Sequence, residues 1–378
     1  MKWVGLVGCL ALVAAACGDD DGGMDAGGDA GVDALMMDGD VDSEVGPDAG
    51  DACVPRNPAD IPEPGTCNPA ADDYAICADD SWPECVSDFG EYVRIEDSIS
   101  TIARVGAFEM MAPLLFDPTR DPTSEQFTMA RDLYQEEEGL DSRVVRRYDP
   151  HYDVPAGTDC TLAGMPEMFP DYCVGPAMIQ PILLGAFADG AAGTEPRQNA
   201  ARIEAGILWF LYVSTFKESL TCTTTPKDCD SAYAYYTGGA EARGGLGLAR
   251  YVMEADAYAH DRAWDGLLAV RCWRDLDPDA TATMLELRDR ARNQYDRAVL
   301  DGTAALVAAR LRRVADTSGD EQLAHWAFVQ VLGQALRTEY PNRSLTDAEA
   351  FATAIESDTP ATDAADLADA IDLAFACP

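Results

Sequence analysis

At 378 residues, the chain is long enough to bury one large hydrophobic core or two smaller ones. Its 67 acidic residues outnumber its 27 basic ones and give a formal net charge of -40. This charge excludes the electrostatic attraction on which binding to nucleic acid and to anionic lipid head groups depends. It favours cationic partners, metal ions included, although a solvated acidic surface is the simpler explanation.

The first residues have the pattern of a bacterial lipoprotein signal peptide. Lys2 supplies a positive charge, and residues 3–16 are apolar but too few to span a bilayer. Small residues then precede Cys17, which resembles the lipobox, where the signal peptide is removed and the cysteine carries the lipid. We therefore expect a signal peptide over residues 1–16, a lipid on Cys17 and a membrane anchor in the cell envelope. Gly18 follows, which by resemblance to Gram-negative lipoproteins favours the outer membrane over the inner one.

Residues 17–52 have the composition of a disordered acidic tether. The segment from residue 18 to residue 52 contains 12 acidic residues, no Lys or Arg, and mostly Gly and Ala otherwise. Such a segment buries too little apolar surface to offset its ordering entropy, and its like charges extend it. We expect it to hold the folded part away from the membrane. A Cys- and Pro-rich segment is predicted over residues 53–90.

The cysteines are expected to form disulfides. Once Cys9 leaves with the signal peptide and Cys17 is lipidated, ten of the twelve remain, an even number in an oxidising compartment. From their close spacing we expect the pairs Cys160–Cys173 and Cys222–Cys229. Cys272 and Cys377 are then left to pair with each other. Metal-thiolate sites are the alternative, although the chain contains no Cys-x-x-Cys.

Residues 91–378 have the apolar periodicity of helices, without an alternating run of strand length. The segments predicted to be helical are 97–112, 121–138, 196–220, 246–274, 277 to about 314, 321–337, 346–356 and 363–376. Gly302 is a candidate break in the longest of them, and residues 150–176 are predicted to be irregular. The fold class is therefore all-α, a multi-helix bundle.

Three tyrosines, Tyr233, Tyr235 and Tyr236, crowd together immediately before a Gly-Gly pair. A related aromatic stretch, Trp326 to Phe328, follows 93 residues later, and each stretch comes after a long helical segment that contains a glycine. This arrangement indicates a degenerate twofold repeat of a long helix followed by an aromatic helix.

The same stretch offers ligands for a metal ion. Glu321 precedes His325 by one helical turn, which places a carboxylate and an imidazole on the same face. Phenolate, carboxylate and imidazole together suit a hard trivalent ion such as ferric iron, Fe(III). Tyr233, Tyr235, Tyr236, Glu321 and His325 are therefore candidate metal ligands. The alternative is that the tyrosines pack in the core with their hydroxyls hydrogen-bonded.

A family resemblance points the same way. The phrase from Asp230 to Gly238, the upstream Arg-x-Glu204-x-Gly and the later His325-Trp are similar to the algal low-iron-inducible periplasmic (Fe-assimilating) proteins and to helical bacterial lipoproteins like them. The resemblance spans roughly residues 202–342. It implies an α-helical, extracytoplasmic protein that handles iron, and it adds Glu204 to the candidate ligands.

Catalytic motifs are weak. Ser214-x-x-Lys217 resembles the motif of β-lactamases and penicillin-binding proteins, but the predicted helix places the serine in mid-helix, where no backbone N–H is free. We therefore expect a protein that is not an enzyme. Three functions remain open: an envelope lipoprotein that binds ferric iron, an envelope lipoprotein that engages another envelope protein or is structural, and an unrecognised hydrolase.

Overall fold

The computed structural model describes residues 72–76, 82–117, 119–136, 139–240 and 243–375. Within these residues every regular element is helical, which confirms the predicted all-α class and multi-helix architecture. All of them belong to one unit, residues 49–378. The expected signal peptide, Cys17, the expected tether and Cys377 lie outside the described residues.

Fourteen α-helices follow one another in the described part of the chain. They are α1 (Thr101–Leu115), α2 (Ser124–Tyr134), α3 (Leu140–Val144), α4 (Met165–Met168), α5 (Gln180–Ala191), α6 (Pro196–Thr221), α7 (Asp228–Thr237), α8 (Leu248–Ala255), α9 (Ala257–Leu276), α10 (Leu285–Asp316), α11 (Gly319–Leu332), α12 (Tyr340–Arg343), α13 (Leu345–Ile355) and α14 (Ala364–Ala374). A π-helix, Gly175–Ile179, leads directly into α5, and a 3₁₀-helix, Gly333–Leu336, continues α11.

The central helix is α6, which agrees closely with the predicted segment 196–220. It begins at Pro196, in the first turn, where a missing backbone N–H costs nothing. Most of its residues from Asn199 to Ser219 are buried, and α5, α7 and α11 all pack against it. The long helices α6 and α10 are each followed by an aromatic helix, α7 and α11, in the predicted order.

The segment predicted as one helix over residues 246–274 forms two, α8 and α9. Asp256 lies between them with an extended backbone, φ -154° and ψ 100°. Its carboxylate accepts hydrogen bonds from the N–H groups of Tyr258 at 2.9 Å and Ala259 at 3.0 Å. Because an aspartate at this position satisfies the first N–H groups of a helix, a second helix starts here in a new direction.

The helix α10 begins later than predicted, at Leu285 instead of Asp277. The carboxylate of Asp277 accepts hydrogen bonds from the N–H groups of Thr283 and Met284, both at 2.8 Å, so it closes a loop. The helix then continues through Gly302 without the predicted break, because the absence of a side chain there leaves room for Val252 of α8.

Three disulfides join described cysteines. Two are the predicted local pairs, Cys160–Cys173 and Cys222–Cys229. The third joins Cys85 to Cys272, so the predicted pairing of Cys272 with Cys377 is wrong. The reason is tertiary: the Ser87 hydroxyl donates to the carbonyl of Leu268, which holds the segment that contains Cys85 along α9.

Parts of the expected Cys- and Pro-rich segment pack into the helical core. Tyr74 and Trp82 are buried, and their rings meet edge to face at 5.6 Å. The backbone N–H and carbonyl of Tyr74 both bond to the Gln294 side chain of α10, at 2.7 and 2.8 Å. The described parts of residues 72–90 therefore share one core with the helices.

Candidate functional site

The tyrosine stretch forms α7, which starts beside the loop closed by Cys222 and Cys229. It ends at Gly238 and Gly239, whose φ angles of 67° and 92° lie in the left-handed region that glycine adopts without strain.

Tyr233 and Asp230 attach the irregular segment before α1 to α7. The ring of Tyr233 stacks on that of Tyr92, with centroids 4.1 Å apart. The buried carboxylate of Asp230 accepts hydrogen bonds from the N–H groups of Ile95 and Glu96, at 2.8 and 2.7 Å, and from the Tyr92 hydroxyl at 3.1 Å. These contacts attach residues 92–96 to this side of α7, so Tyr233 and Asp230 have a structural role.

The other two tyrosines contact different parts of the core. The Tyr235 hydroxyl accepts a hydrogen bond from Arg147 at 3.3 Å. The Tyr236 hydroxyl lies 3.1 Å from Nδ1 of His260. Burial raises the pKa of Tyr236 well above its ordinary value, so this phenol is neutral at physiological pH.

The remaining predicted ligands lie near Arg310: Glu204 and His325 contact it, and Glu321 lies beside His325 and pairs with Arg313. One guanidinium nitrogen of Arg310 donates to Glu204 at 2.6 Å, and another lies 3.4 Å from Nδ1 of His325. Glu321 lies 3.8 Å from Nε2 of the same histidine. Burial and the positive charges of Arg310 and Arg313 lower the pKa of His325 to about 4, so the imidazole is neutral.

The structure thus brings three of the six predicted metal ligands together and gives the three tyrosines other partners. The donor set as arranged does not fit ferric iron, because the Arg310 guanidinium occupies the place of a cation between Glu204 and His325. In the part of the chain that the structure describes, no three His, Cys, Asp or Glu side chains are placed to hold a metal ion.

Ser214 and Lys217 lie in the middle of α6, as expected, and not at a helix start. The Ser214 hydroxyl is fully buried and bonds to no described residue. The Lys217 amine is buried and lies 3.4 Å from both carboxylate oxygens of Glu218. The surroundings of Ser214 therefore lack the free backbone N–H groups that an oxyanion hole needs.

The strongest charged cluster contains a histidine to which the sequence assigned no role. His151 has a carboxylate on each ring nitrogen: Asp149 lies 2.6 Å from Nδ1 and Asp296 of α10 lies 3.0 Å from Nε2. Its ring stacks on Phe216 of α6, with centroids 4.0 Å apart. Burial opposes the positive charge, but the two carboxylates outweigh it and raise the pKa of His151 to about 10. We call this arrangement the His151 clamp.

A second buried charge pair lies beside the clamp. Arg147 donates to Glu218 of α6 at 2.8 Å, and its guanidinium lies over the rings of Phe210 and Tyr235, 5.5 and 5.3 Å from their centroids. Only 6% of the Arg147 side chain and 10% of the Glu218 side chain are exposed. Arg147 and His151 together fix one end of the irregular segment to α6, α7 and α10.

Residues 145–176, which include the short helix α4 and the start of the π-helix, carry an open apolar groove of about 410 Å³. Its walls include Val145, Arg146, Leu162, Ala163, Pro166 and Pro176, and the disulfide of Cys160 closes one side. Leu162 lies in this groove with 55% of its surface exposed, and Met168 nearby is 63% exposed. We call residues 145–176 the groove segment.

The groove segment could not be recognised as a site from the sequence, because the residues that form it are far apart along the chain. The proximity of Asp149 to His151 is visible in the sequence, but Asp296 is 145 residues away, and no local pattern pairs it with His151. The apolar groove likewise arises from residues at both ends of the segment, which only the fold brings together.

No described helix combines the length and the apolar character needed to cross a membrane. Comparison with known proteins found no matching family model, no matching curated protein and no matching solved structure.

Proposed function

We propose that this chain is a lipid-anchored protein of the bacterial cell envelope whose helical domain binds a partner protein through the groove segment. The observation that carries the proposal is the combination of exposed apolar side chains with a rigid attachment. Leu162 and Met168 expose more than half of their surface beside the 410 Å³ groove, while the disulfide and the His151 clamp fix the segment below them.

Rigidity matters because it lowers the entropy lost on binding. A surface held by covalent and charged contacts loses little freedom when a partner docks, so more of the contact energy appears as affinity. The groove is of a size that accepts one or two apolar side chains from a partner. Arg146 and Glu167 at its rim supply one charge of each sign, which would orient the partner.

Site-specific photo-crosslinking in intact cells tests this proposal. A benzophenone side chain placed at Leu162 or Met168 should give a discrete adduct. The same group at Leu345 or Leu373, which are 60% and 84% exposed on other helices, provides the matched control. Adducts at the first two positions only would support the groove segment, and an adduct of twice the chain mass would make the partner a second copy. Equal adducts at all four positions, or none at any, would contradict it.

The anchor has its own test. We expect Cys17→Ala to abolish incorporation of labelled palmitate, because Cys17 is the predicted lipidation site. The variant should also remain an uncleaved precursor or be released from the membrane, because the predicted lipid attaches the protein to the membrane. Membrane fractionation and palmitate labelling would check this. Equal labelling of the variant and the wild type would exclude lipidation at Cys17.

Ferric-iron binding is a second candidate function. The observation that favours it is that Glu204 and His325 flank one cation, Arg310, with Glu321 beside the same histidine. An iron ion would have to displace that guanidinium and recruit phenolate oxygens. Titration with ferric citrate should then produce a visible phenolate-to-iron band that is lost when Tyr233, Tyr235 and Tyr236 are all changed to Phe.

The control for the iron titration is a pair of tyrosines outside the predicted set. Tyr148 and Tyr172 stack on each other with centroids 5.0 Å apart, and changing both to Phe should leave the band intact. A wild-type protein without saturable binding would leave partner binding as the function.

A further inference from the structure

A small polar cavity lies where the groove segment meets α6 and the 3₁₀-helix after α11. The polar side chains that line it are Asp149, Tyr152, Asp171, Trp209, Gln334 and Arg337. The cavity has about 10 Å³ of space for the centre of a water-sized group. That is roughly enough for one such group.

One hydrogen-bond donor of α6 at this place is buried without an acceptor. The Trp209 side chain is 3% exposed and lines the cavity, and its indole Nε1–H meets no acceptor among the described residues. Tyr212, one turn further along α6, is 1% exposed, and its hydroxyl also bonds to no described residue, but it does not line the cavity. Buried donors in proteins are nearly always paired with protein groups or ordered water, so the unpaired Trp209 donor points to a group in the cavity that accepts its hydrogen bond.

The cavity also offers hydrogen-bonding capacity that the fold leaves unused. Asp149 bonds to His151 through Oδ1, and its Oδ2 accepts no hydrogen bond from a described residue. Asp171 and Arg337 flank Tyr152, and neither forms an ion pair within the described part of the chain. The Arg337 guanidinium donates only to the side-chain oxygen of Gln334, at 3.1 Å.

The chemistry of the occupant follows from these requirements. Because the cavity takes one water-sized group, that group must accept from the Trp209 indole and donate to the Asp149 carboxylate. A carboxylate cannot donate and an ammonium cannot accept, whereas a water molecule and a ligand hydroxyl each do both. The carboxylates of Asp149 and Asp171 in the cavity lining disfavour an anionic ligand.

We propose that this cavity binds one hydroxyl group of a neutral saccharide, while Asp171 and Arg337 at its mouth bond to neighbouring hydroxyls of the same ring. The Asp171 carboxylate can accept a hydrogen bond from one hydroxyl, and the Arg337 guanidinium can donate one to its neighbour. A pair of adjacent hydroxyls therefore gives both side chains a hydrogen-bond partner. The saccharide site lies on the α6 side of the groove segment, separate from the apolar groove.

Nuclear magnetic resonance of indole N–H groups tests the proposal directly. The full-length chain, labelled with ¹⁵N-tryptophan and held in a detergent without a sugar head group, is titrated separately with D-glucose, D-galactose, D-mannose and N-acetyl-D-glucosamine. At least one of them should shift the Trp209 Nε1–H signal in a saturable manner. Glycine and acetate, a zwitterion and an anion, should leave the signal in place.

The variants separate this site from a general change of fold. Trp209→Phe keeps the aromatic packing and removes the donor, and we expect it to weaken saccharide binding about tenfold or more, measured by calorimetry. Arg337→Gln, at an exposed position, should weaken binding similarly without affecting folding. Trp273→Phe is the matched control, because Trp273 also has a buried Nε1 without an acceptor but does not line this cavity. It should bind as the wild type does.

Three outcomes would overturn the proposal. If no saccharide of the panel shifts the Trp209 signal, the cavity holds ordered water alone. If glycine or acetate binds while the saccharides do not, the ligand is charged and the hydroxyl assignment is wrong. Unchanged saccharide affinity in Arg337→Gln and Trp209→Phe would place any binding elsewhere on the protein.

Discussion

At the residue scale, the three histidines show how burial and neighbouring charges decide a protonation state. All three lie mostly inside the protein. Burial lowers the pKa of His260 and of His325 to about 4, because the nearby carboxylates are too weak or too distant to compensate. At His151 the two flanking carboxylates outweigh burial and raise the pKa to about 10. The first two imidazoles are therefore neutral at physiological pH, and the third is charged.

The His151 clamp predicts a specific dependence of stability on pH. The folded pKa of about 10 lies above the unfolded value of 6.5, so the clamp stabilises fully below pH 6.5, and its contribution is lost as the pH rises from 6.5 to 10. His151→Gln should therefore be less stable than the wild type near pH 6.5, and the difference in unfolding free energy should shrink towards pH 10. The upper bound on that change is about 5 kcal/mol.

Urea denaturation at a series of pH values measures this difference. His325→Gln is the control, because the folded pKa of His325 is about 4 and its contribution changes only between about pH 4 and 6.5, where stability rises with pH. A constant difference between wild type and His151→Gln from pH 6.5 to 10 would show that the imidazole is uncharged in the clamp.

At the element scale, a glycine allows α9 to pack closely against α10. Gly266 of α9 lies against the backbone of Tyr295, and a Cβ atom built on this glycine would be 2.5 Å from the Tyr295 Cα. No side chain can give way there, because the obstructing atoms are backbone. The glycine therefore sets the distance between the two helices, and the Tyr295 side chain continues from that contact to the Thr215 hydroxyl of α6, 2.5 Å away.

We predict that Gly266→Ala destabilises the fold by about 1–3 kcal/mol, because α9 and α10 must separate to admit the methyl group. Gly185→Ala is the matched control: it lies in α5, is exposed, and has no atom within 4 Å of the added Cβ. That substitution should be neutral or stabilise by about 0.5–1 kcal/mol, since alanine favours a helix over glycine. Thermal unfolding of both variants measures the effect, and equal melting temperatures would refute the close approach.

At the scale of the whole molecule, one disulfide links distant parts of the chain. Cys85 and Cys272 are 187 residues apart, whereas Cys222 and Cys229 are 7 apart. In the chain-entropy account, the longer loop restricts the unfolded chain far more strongly. Cys85–Cys272 also attaches the segment before α1 to α9, which completes the core around Trp82.

Replacing both cysteines of a pair by Ala should reveal this difference. We expect a loss of unfolding free energy of about 5 kcal/mol for Cys85 and Cys272 and about 2 kcal/mol for Cys222 and Cys229. Urea denaturation gives both values, and peptide mapping without reduction confirms the remaining bridges. A larger loss from the short loop than from the long one would argue against the entropic account for this protein.

Much of the helical content was predictable because it depends on interactions within a few residues. The helix α6 was predicted from its apolar period and from Pro196, and the pairs Cys160–Cys173 and Cys222–Cys229 from their spacing. The start of α10 was not, because the Asp277 side chain closes a loop that periodicity does not reveal. The predicted metal ligands could be placed only in part: Glu321 and His325 share a helix face, but the contact of Arg310 with both Glu204 and His325 depends on how α6, α10 and α11 pack.

The sequence by itself determined the all-α class, the central helix and the local disulfides, since each follows from neighbouring residues. Only the tertiary structure decided that Cys272 pairs with Cys85, that the three tyrosines have different partners and that Asp296 completes the His151 clamp. A helical period specifies which face of a helix is buried, but it does not specify which other helix covers that face. Contacts between residues more than a hundred positions apart form only when the whole core packs, and the groove segment and its cavity depend on those contacts.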